Sequence, residues 1–251
     1  EGALNNSTGV VSINSTGGAE DLGNATITVE PLSELNALSV QSSGLLNLGS
    51  ATMTVDGTGG GFSKGVRFIS SAGDIDLGSS SLTYNDRLTN SGFKLSTISA
   101  AGDIRSSGSV DWSVLGRTEF TAAGSINLPN FSFDNPLDSG TASLFQATGG
   151  GITLANGGIN TGLDFTTVNT LDITLDSSGG ISLNNFDIKV NDRSDVSMTA
   201  AGDISLANVK INEAAQNNST GFVNITSTGG ALNLGTVPNR VGRGGEFNSH
   251  F

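Results

Sequence analysis

Apolar residues recur along this chain at period two, in short bursts set off by glycine. The pattern Gly-x-apolar-x-Leu returns behind anchor glycines at Gly18, Gly44, Gly73, Gly102, Gly124, Gly150, Gly179, Gly202 and Gly230, spaced 22 to 29 residues apart. That spacing lies in the range of repeat architectures. After most anchors an Ile or Leu stands two places on (Leu46, Ile75, Ile104, Ile126, Ile152, Ile181, Ile204, Leu232) and a Leu four places on (Leu48, Leu77, Leu128, Leu154, Leu183, Leu206, Leu234). Alternation of this kind predicts a strand with one buried face. A second pair precedes the anchor, as in Val11 and Ile13 or Val223 and Ile225, and a third follows, as in Phe131 and Phe133 or Val209 and Ile211. Each unit therefore predicts three short strands, and nine anchors predict about nine coils.

Six places past the anchor stand Asn24, Ser50, Ser79, Gly108, Asn130, Asn156, Asn185, Asn208 and Thr236. Asn and Gly tolerate the left-handed backbone of a sharp corner, and stacked Asn side chains can hydrogen-bond to one another. Asn24, Asn130, Asn156, Asn185 and Asn208 are thus expected to form a corner ladder, with the anchor glycine at the other tight corner. No long stretch carries helical periodicity, and β-branched residues dominate the apolar runs. Isolated coils cannot bury an apolar face, whereas stacked ones can. The expected fold is all-β: a right-handed parallel β-helix in one domain, residues 1–237, followed by an irregular tail or cap over 238–251.

Two places break the pattern. In the fourth coil Ser106 stands where Leu is expected and Trp112 comes one place late, which a one-residue slip in the corner explains while keeping Trp112 in the core. The segment TYNDRLTNSGFK, 83–94, falls in a coil of 29 residues and is expected to protrude as a surface loop carrying Tyr84, Asp86 and Arg87, since loops leaving a scaffold commonly bind. Residues 1–23 match residues 213–235 at 16 of 23 positions. The repeat begins almost at Glu1 without an amphipathic capping helix, and an open β-helix end pairs with another chain unless covered. The expected partners are copies of the chain stacked end to end, or the adjoining β-helix of a longer chain.

Composition narrows the chemistry. Eleven basic against 23 acidic residues give a net charge of −12, which repels phosphate backbones and disfavours nucleic acid. No apolar run is long enough to span a bilayer as a helix, so no membrane insertion is expected. Zero cysteines exclude disulfides and thiolate chemistry and suit an exported protein. The lone histidine, His250, leaves no material for a Ser-His-Asp triad or a histidine metal site. The glycine clusters lack both the Asp of a calcium roll and the Lys of a phosphate loop, so neither metal nor cofactor is expected.

The stretches TAAGDISL, SAAGDI, SSAGDIDL and STGGALNL resemble the repeats of filamentous haemagglutinin-type exoproteins, the passengers of two-partner secretion. That resemblance implies a secreted, extracellular or cell-surface bacterial fibre, with a role in adhesion, aggregation or matrix building and with host or neighbouring-cell glycans or proteins as possible targets. The expected function is a non-enzymatic structural or adhesive segment. The alternative is a polysaccharide-processing β-helix, hydrolase or lyase, using Asp74 and Asp103, which occupy equivalent places in adjacent coils. Asp203 shares their column, but Ser125, Gly151 and Gly180 interrupt it. A Gly-Asp step at a corner also has a purely structural use, in which the carboxylate accepts backbone N–H groups.

Overall fold

The computed structural model describes residues 10–29, 37–56, 65–85, 95–114, 116–135, 143–161, 172–190, 194–213, 221–235 and 246–250. Among them there is no helix, and every strand pairing is parallel. The molecule is a parallel β-helix with three faces. Coils are numbered here by their anchor glycines, Gly18 in coil 1 to Gly230 in coil 9. On the first face strands stack in chain order from Val10–Ser15 and Ala37–Ser42 up to Val196–Ala200 and Phe222–Ser227.

That face carries ten strands rather than nine. Glu246–His250 pairs in parallel on Phe222–Ser227, so the segment expected to be irregular supplies a further strand.

Equal register makes each inward position a column. On the first face Ile13, Val40, Phe68, Ile98, Phe120, Phe145, Leu175, Met198 and Ile225 lie one above another. On the second face the column is Leu46, Ile75, Ile104, Ile126, Ile152, Ile181, Ile204 and Leu232. All these side chains are buried except at the two ends, where Ile13 and Leu232 are only partly covered. Burying each such side chain is worth about 1.5–3 kcal/mol. Aromatic rings thicken the core in coils 3 to 6: Phe120 and Phe145 stack with centroids 4.6 Å apart, and Trp112 packs against Phe68 and Phe120.

Trp112 is fully buried and pairs with Leu82 below and Phe133 above, as the one-residue slip requires. Its indole Nε1 donates to Ser80 Oγ at 3.1 Å. Ser106 is buried in the place Leu77 and Leu128 take in neighbouring coils, and its hydroxyl has no hydrogen-bond partner. Tyr84 corrects an expectation: it belongs to the strand Ser81–Asn85, between Val55 and Val114, and is fully buried. Period two runs through Leu82 and Tyr84 into the core, so Tyr84 is no surface-loop residue. Asp86 and Arg87 lie outside the described residues.

The anchor glycines serve a different purpose from the one expected. Apart from Gly18, none of them has positive φ. Instead their backbones stack in contact: Gly44 N donates to Gly18 O at 3.0 Å, Gly102 N to Gly73 O at 2.9 Å and Gly202 N to Gly179 O at 2.8 Å. A Cβ on Gly73 would sit 2.8 Å from Gly44 C, and one on Gly179 2.8 Å from Gly150 C. Glycine is required by closeness rather than by dihedral freedom. Gly179→Ala is therefore expected to destabilise the protein by about 1–3 kcal/mol through overpacking. Gly17→Ala, whose Cβ meets nothing within 4 Å, should change stability by less than about 0.5 kcal/mol. Urea unfolding of the two variants makes the comparison, and equal effects would contradict the contact argument.

Candidate functional site: acidic staples and the asparagine ladder

The residues with chemical potential gather at the corners. Where the first face turns into the second, the residue after the anchor is Asp in coils 3, 4 and 8. Each of these carboxylates reaches up to the backbone of the next coil: Asp103 N donates to Asp74 Oδ1 at 2.9 Å, Ser125 N to Asp103 Oδ1 at 2.7 Å and Ala231 N to Asp203 Oδ1 at 2.7 Å. These are staples between coils, satisfying backbone donors that the turn leaves outside the strand ladders. Asp74 and Asp103 do lie in adjacent coils, as the hydrolase reading requires. The structure gives each of them a backbone N–H to hold.

Arg105 completes this corner. Its guanidinium donates through Nη1 to Asp74 Oδ2, and its Nε lies 3.5 Å from Asp76 Oδ2. Asp76 in turn accepts from Gly78 N at 2.8 Å and Ser107 N at 3.2 Å. The Asp103 N–H holds the Asp74 carboxyl below its ordinary value, burial opposes this, and Arg105 reinforces it. A general acid on a glycosidase needs the opposite shift. The arrangement suits a carboxylate that is ionised at neutral pH and acts as an acceptor.

Serines act in parallel just before the anchor. Ser42 Oγ donates to Gly18 O at 2.6 Å, Ser177 Oγ to Gly150 O at 2.8 Å and Ser227 Oγ to Gly202 O at 2.9 Å, each carbonyl belonging to the coil below. Each hydroxyl also accepts from its own anchor glycine, with Gly44 N, Gly179 N and Gly230 N all at 3.1 Å. A further acidic staple went unread in the sequence. Asp195 N donates to Asp172 Oδ1 at 2.9 Å and Phe222 N to Asp195 Oδ1 at 2.8 Å, at the entry to the first face. Its signal was the Asp directly before a strand in LDITL and SDVSM.

The expected asparagine column contains two recurring kinds of corner, which account for seven of the nine coils. In coils 6, 7 and 8, Asn156, Asn185 and Asn208 adopt φ of 48°, 50° and 53°. The chain then runs through the corner as single strands, Ile152–Asn160, Ile181–Val190 and Ile204–Glu213. Their amides form the ladder: Asn208 Nδ2 donates to Asn185 Oδ1 at 3.0 Å, Asn185 Nδ2 to Asn156 Oδ1 at 3.3 Å and Asn156 Nδ2 to Asn130 Oδ1 at 3.4 Å. Asn130 ends the ladder without positive φ.

Asn24 corrects the expectation. In coils 1, 2, 3 and 9 the left-handed residue lies one place earlier, at Gly23, Gly49, Gly78 and Gly235 with φ of 56° to 61°. There an Asp or Asn two residues back accepts the glycine N–H, as Asp21 does for Gly23 and Asn233 for Gly235. With that turn made by Gly23, Asn24 has no place in the amide ladder.

Among the described residues no group of three or more His, Asp and Glu side chains could hold a metal ion, and no helix is long and apolar enough to cross a membrane. No family model, curated protein or solved structure matches this chain.

Two predictions follow from these corners. Asn185→Ala should cost about 1–2 kcal/mol from the left-handed backbone alone, whereas Asn185→Gly loses only the amide bonds and should cost less in urea unfolding. For Asp74, a folded-state value below the ordinary 3.8 means that its stabilisation is complete above that value and is lost as pH falls through the depressed one. Asp74→Asn should accordingly be less stable than wild type by about 1 kcal/mol at neutral pH, and the gap should close in acid below the ordinary value. A gap that widened on acidification would contradict the assignment.

Proposed function

We propose that this chain is a non-enzymatic structural or adhesive segment of a secreted bacterial surface fibre. The carrying observation is that the acids the enzymatic alternative would use, Asp74 and Asp103, are engaged as acceptors for the backbone of the next coil. Support also comes from the inward columns, which run from one end of the solenoid to the other, and from a surface of net negative charge. The resemblance of TAAGDISL and its relatives to filamentous haemagglutinin-type repeats supports placement outside the cell or on its surface. Function in this reading follows from length and rigidity. Its partners are further β-helical coils, from copies of the chain or an adjoining segment, and surface glycans or proteins on host or neighbouring cells.

Electron microscopy of the negatively stained protein should show straight rods one solenoid wide, lengthening in steps of about 43 Å, the height of nine intervals between strands. Incubation with a panel of acidic and neutral polysaccharides should release no new reducing or unsaturated ends. Turnover that disappears in Asp103→Asn, without rods, would replace this reading with the enzymatic one.

A further inference from the structure

The two ends of the solenoid are unequal. At the lower end, Val10–Ser15, Glu20–Asp21 and Thr26–Val29 each pair with one described strand, in coil 2. At the upper end Leu232–Asn233 likewise pairs with one described strand, in coil 8. Over Phe222–Ser227, however, Glu246–His250 already occupies the seat of a tenth first-face strand. The rungs at the two ends are also alike. Between residues 10–23 and 222–235 the identities are Val11 with Val223, Ile13 with Ile225, Ser15 to Ala19 with Ser227 to Ala231, and Leu22 and Gly23 with Leu234 and Gly235.

Corner geometry carries the same likeness. Coils 6 to 8 turn on a left-handed Asn, but coil 9 reverts to the glycine corner of coils 1 to 3, with Gly23 and Gly235 both at φ 56°. Glycine corners stack on one another within the chain, where Ser50 N donates to Gly23 O at 2.7 Å and Ser79 N to Gly49 O at 2.6 Å. Coil 9 thus has the corner type of coil 1.

From this we infer that the upper face of coil 9 is a docking seat for coil 1 of a second copy, and that Glu246–His250 is a displaceable strand covering part of it. The inference rests on the fibre reading and adds the partner surface and its control. Stacked in register, the second copy sets Glu20 over Leu232 and Asp21 over Asn233. The same residue types already pair inside the chain as Glu20 with Leu46 and Asp21 with Asn47. Val11 and Ile13, half-buried at the lower end, come over Val223 and Ile225. Ser15 Oγ, which among the described residues makes two 3.4 Å contacts to carbonyls of its own coil, comes to the position from which Ser42 reaches Gly18 O. Hydrogen bonding is complementary too. Along the anchor column the upper coil donates and the lower accepts, so Gly18 N of the incoming copy meets Gly230 O.

The covering strand is a weaker match for the seat than an incoming rung. Ser249 holds the register position over Ile225 that Val40 holds over Ile13. Asn248 holds the register of Thr97, whose N–H donates to Val66 O in the coil below. A proline at 248 removes that donor, and a valine at 249 puts a β-branched residue of high strand propensity into the covering strand.

The test uses the full chain, with the concentration at which rods first form read by sedimentation and electron microscopy. Asn248→Pro should lower it about tenfold, the equivalent of one or two lost backbone hydrogen bonds in the covering strand. Ser249→Val should raise it, and Val11→Arg should abolish rods even when combined with Asn248→Pro. Circular dichroism confirms that each variant keeps its β-structure. Rods that form equally in wild type, Asn248→Pro and Ser249→Val would overturn the covering role while leaving the fibre reading in place. Rods that persist in Val11→Arg would overturn the docking seat. Absence of rods from every variant, Asn248→Pro included, would defeat both the inference and the fibre reading.

Discussion

The structure depends on one repeated contact, the backbone of each coil lying directly on the backbone of the next. Parallel ladders place neighbouring strands about 4.8 Å apart, and at the first corner the anchor glycines keep that spacing by having no side chain to intervene. Gly44 on Gly18, Gly102 on Gly73 and Gly202 on Gly179 are the same contact at different heights. Everything else follows from keeping this distance. Equal register turns single apolar residues into columns, and the columns close a core that no coil could form alone.

The polar residues at the corners serve the same contact. A turn leaves N–H and C=O groups outside the strand ladders, and each needs a partner from a side chain or water. Asp74, Asp103, Asp172, Asp195 and Asp203 each accept a hydrogen bond from a backbone N–H of the coil above, while Ser42, Ser70, Ser177 and Ser227 each donate one to a glycine carbonyl below. Residues that would suggest catalysis on another scaffold are here part of how the scaffold is held. These contacts are the support for the fibre reading proposed above.

Much of this was legible in the sequence because a solenoid writes each structural demand many times. The three faces, the inward columns and the slip that keeps Trp112 inside all follow from period-two spacing, although in coils 6 to 8 the second and third strands run on as one. What escaped were demands met by more than one residue type. In seven of the nine coils the corner of the second and third strands is made either by an Asn in the left-handed region or by a Gly one place earlier with an Asp or Asn behind it, so a single column over Asn24 to Asn208 merged different geometries. Tyr84 was misplaced because its coil is long, although the Leu82 and Tyr84 alternation pointed inward. The strand at Glu246–His250 escaped because pairing on an existing edge needs little sequence of its own.

The direct measure of the central claim is through-space contact between coils, read by NMR on isotope-labelled protein. In-register stacking predicts cross-peaks between Ile104 and Ile126, between Ile152 and Ile181, and between the α-protons of Gly179 and the amide of Gly202. Their absence, with contacts instead between residues paired in an antiparallel hairpin pattern, would contradict the account.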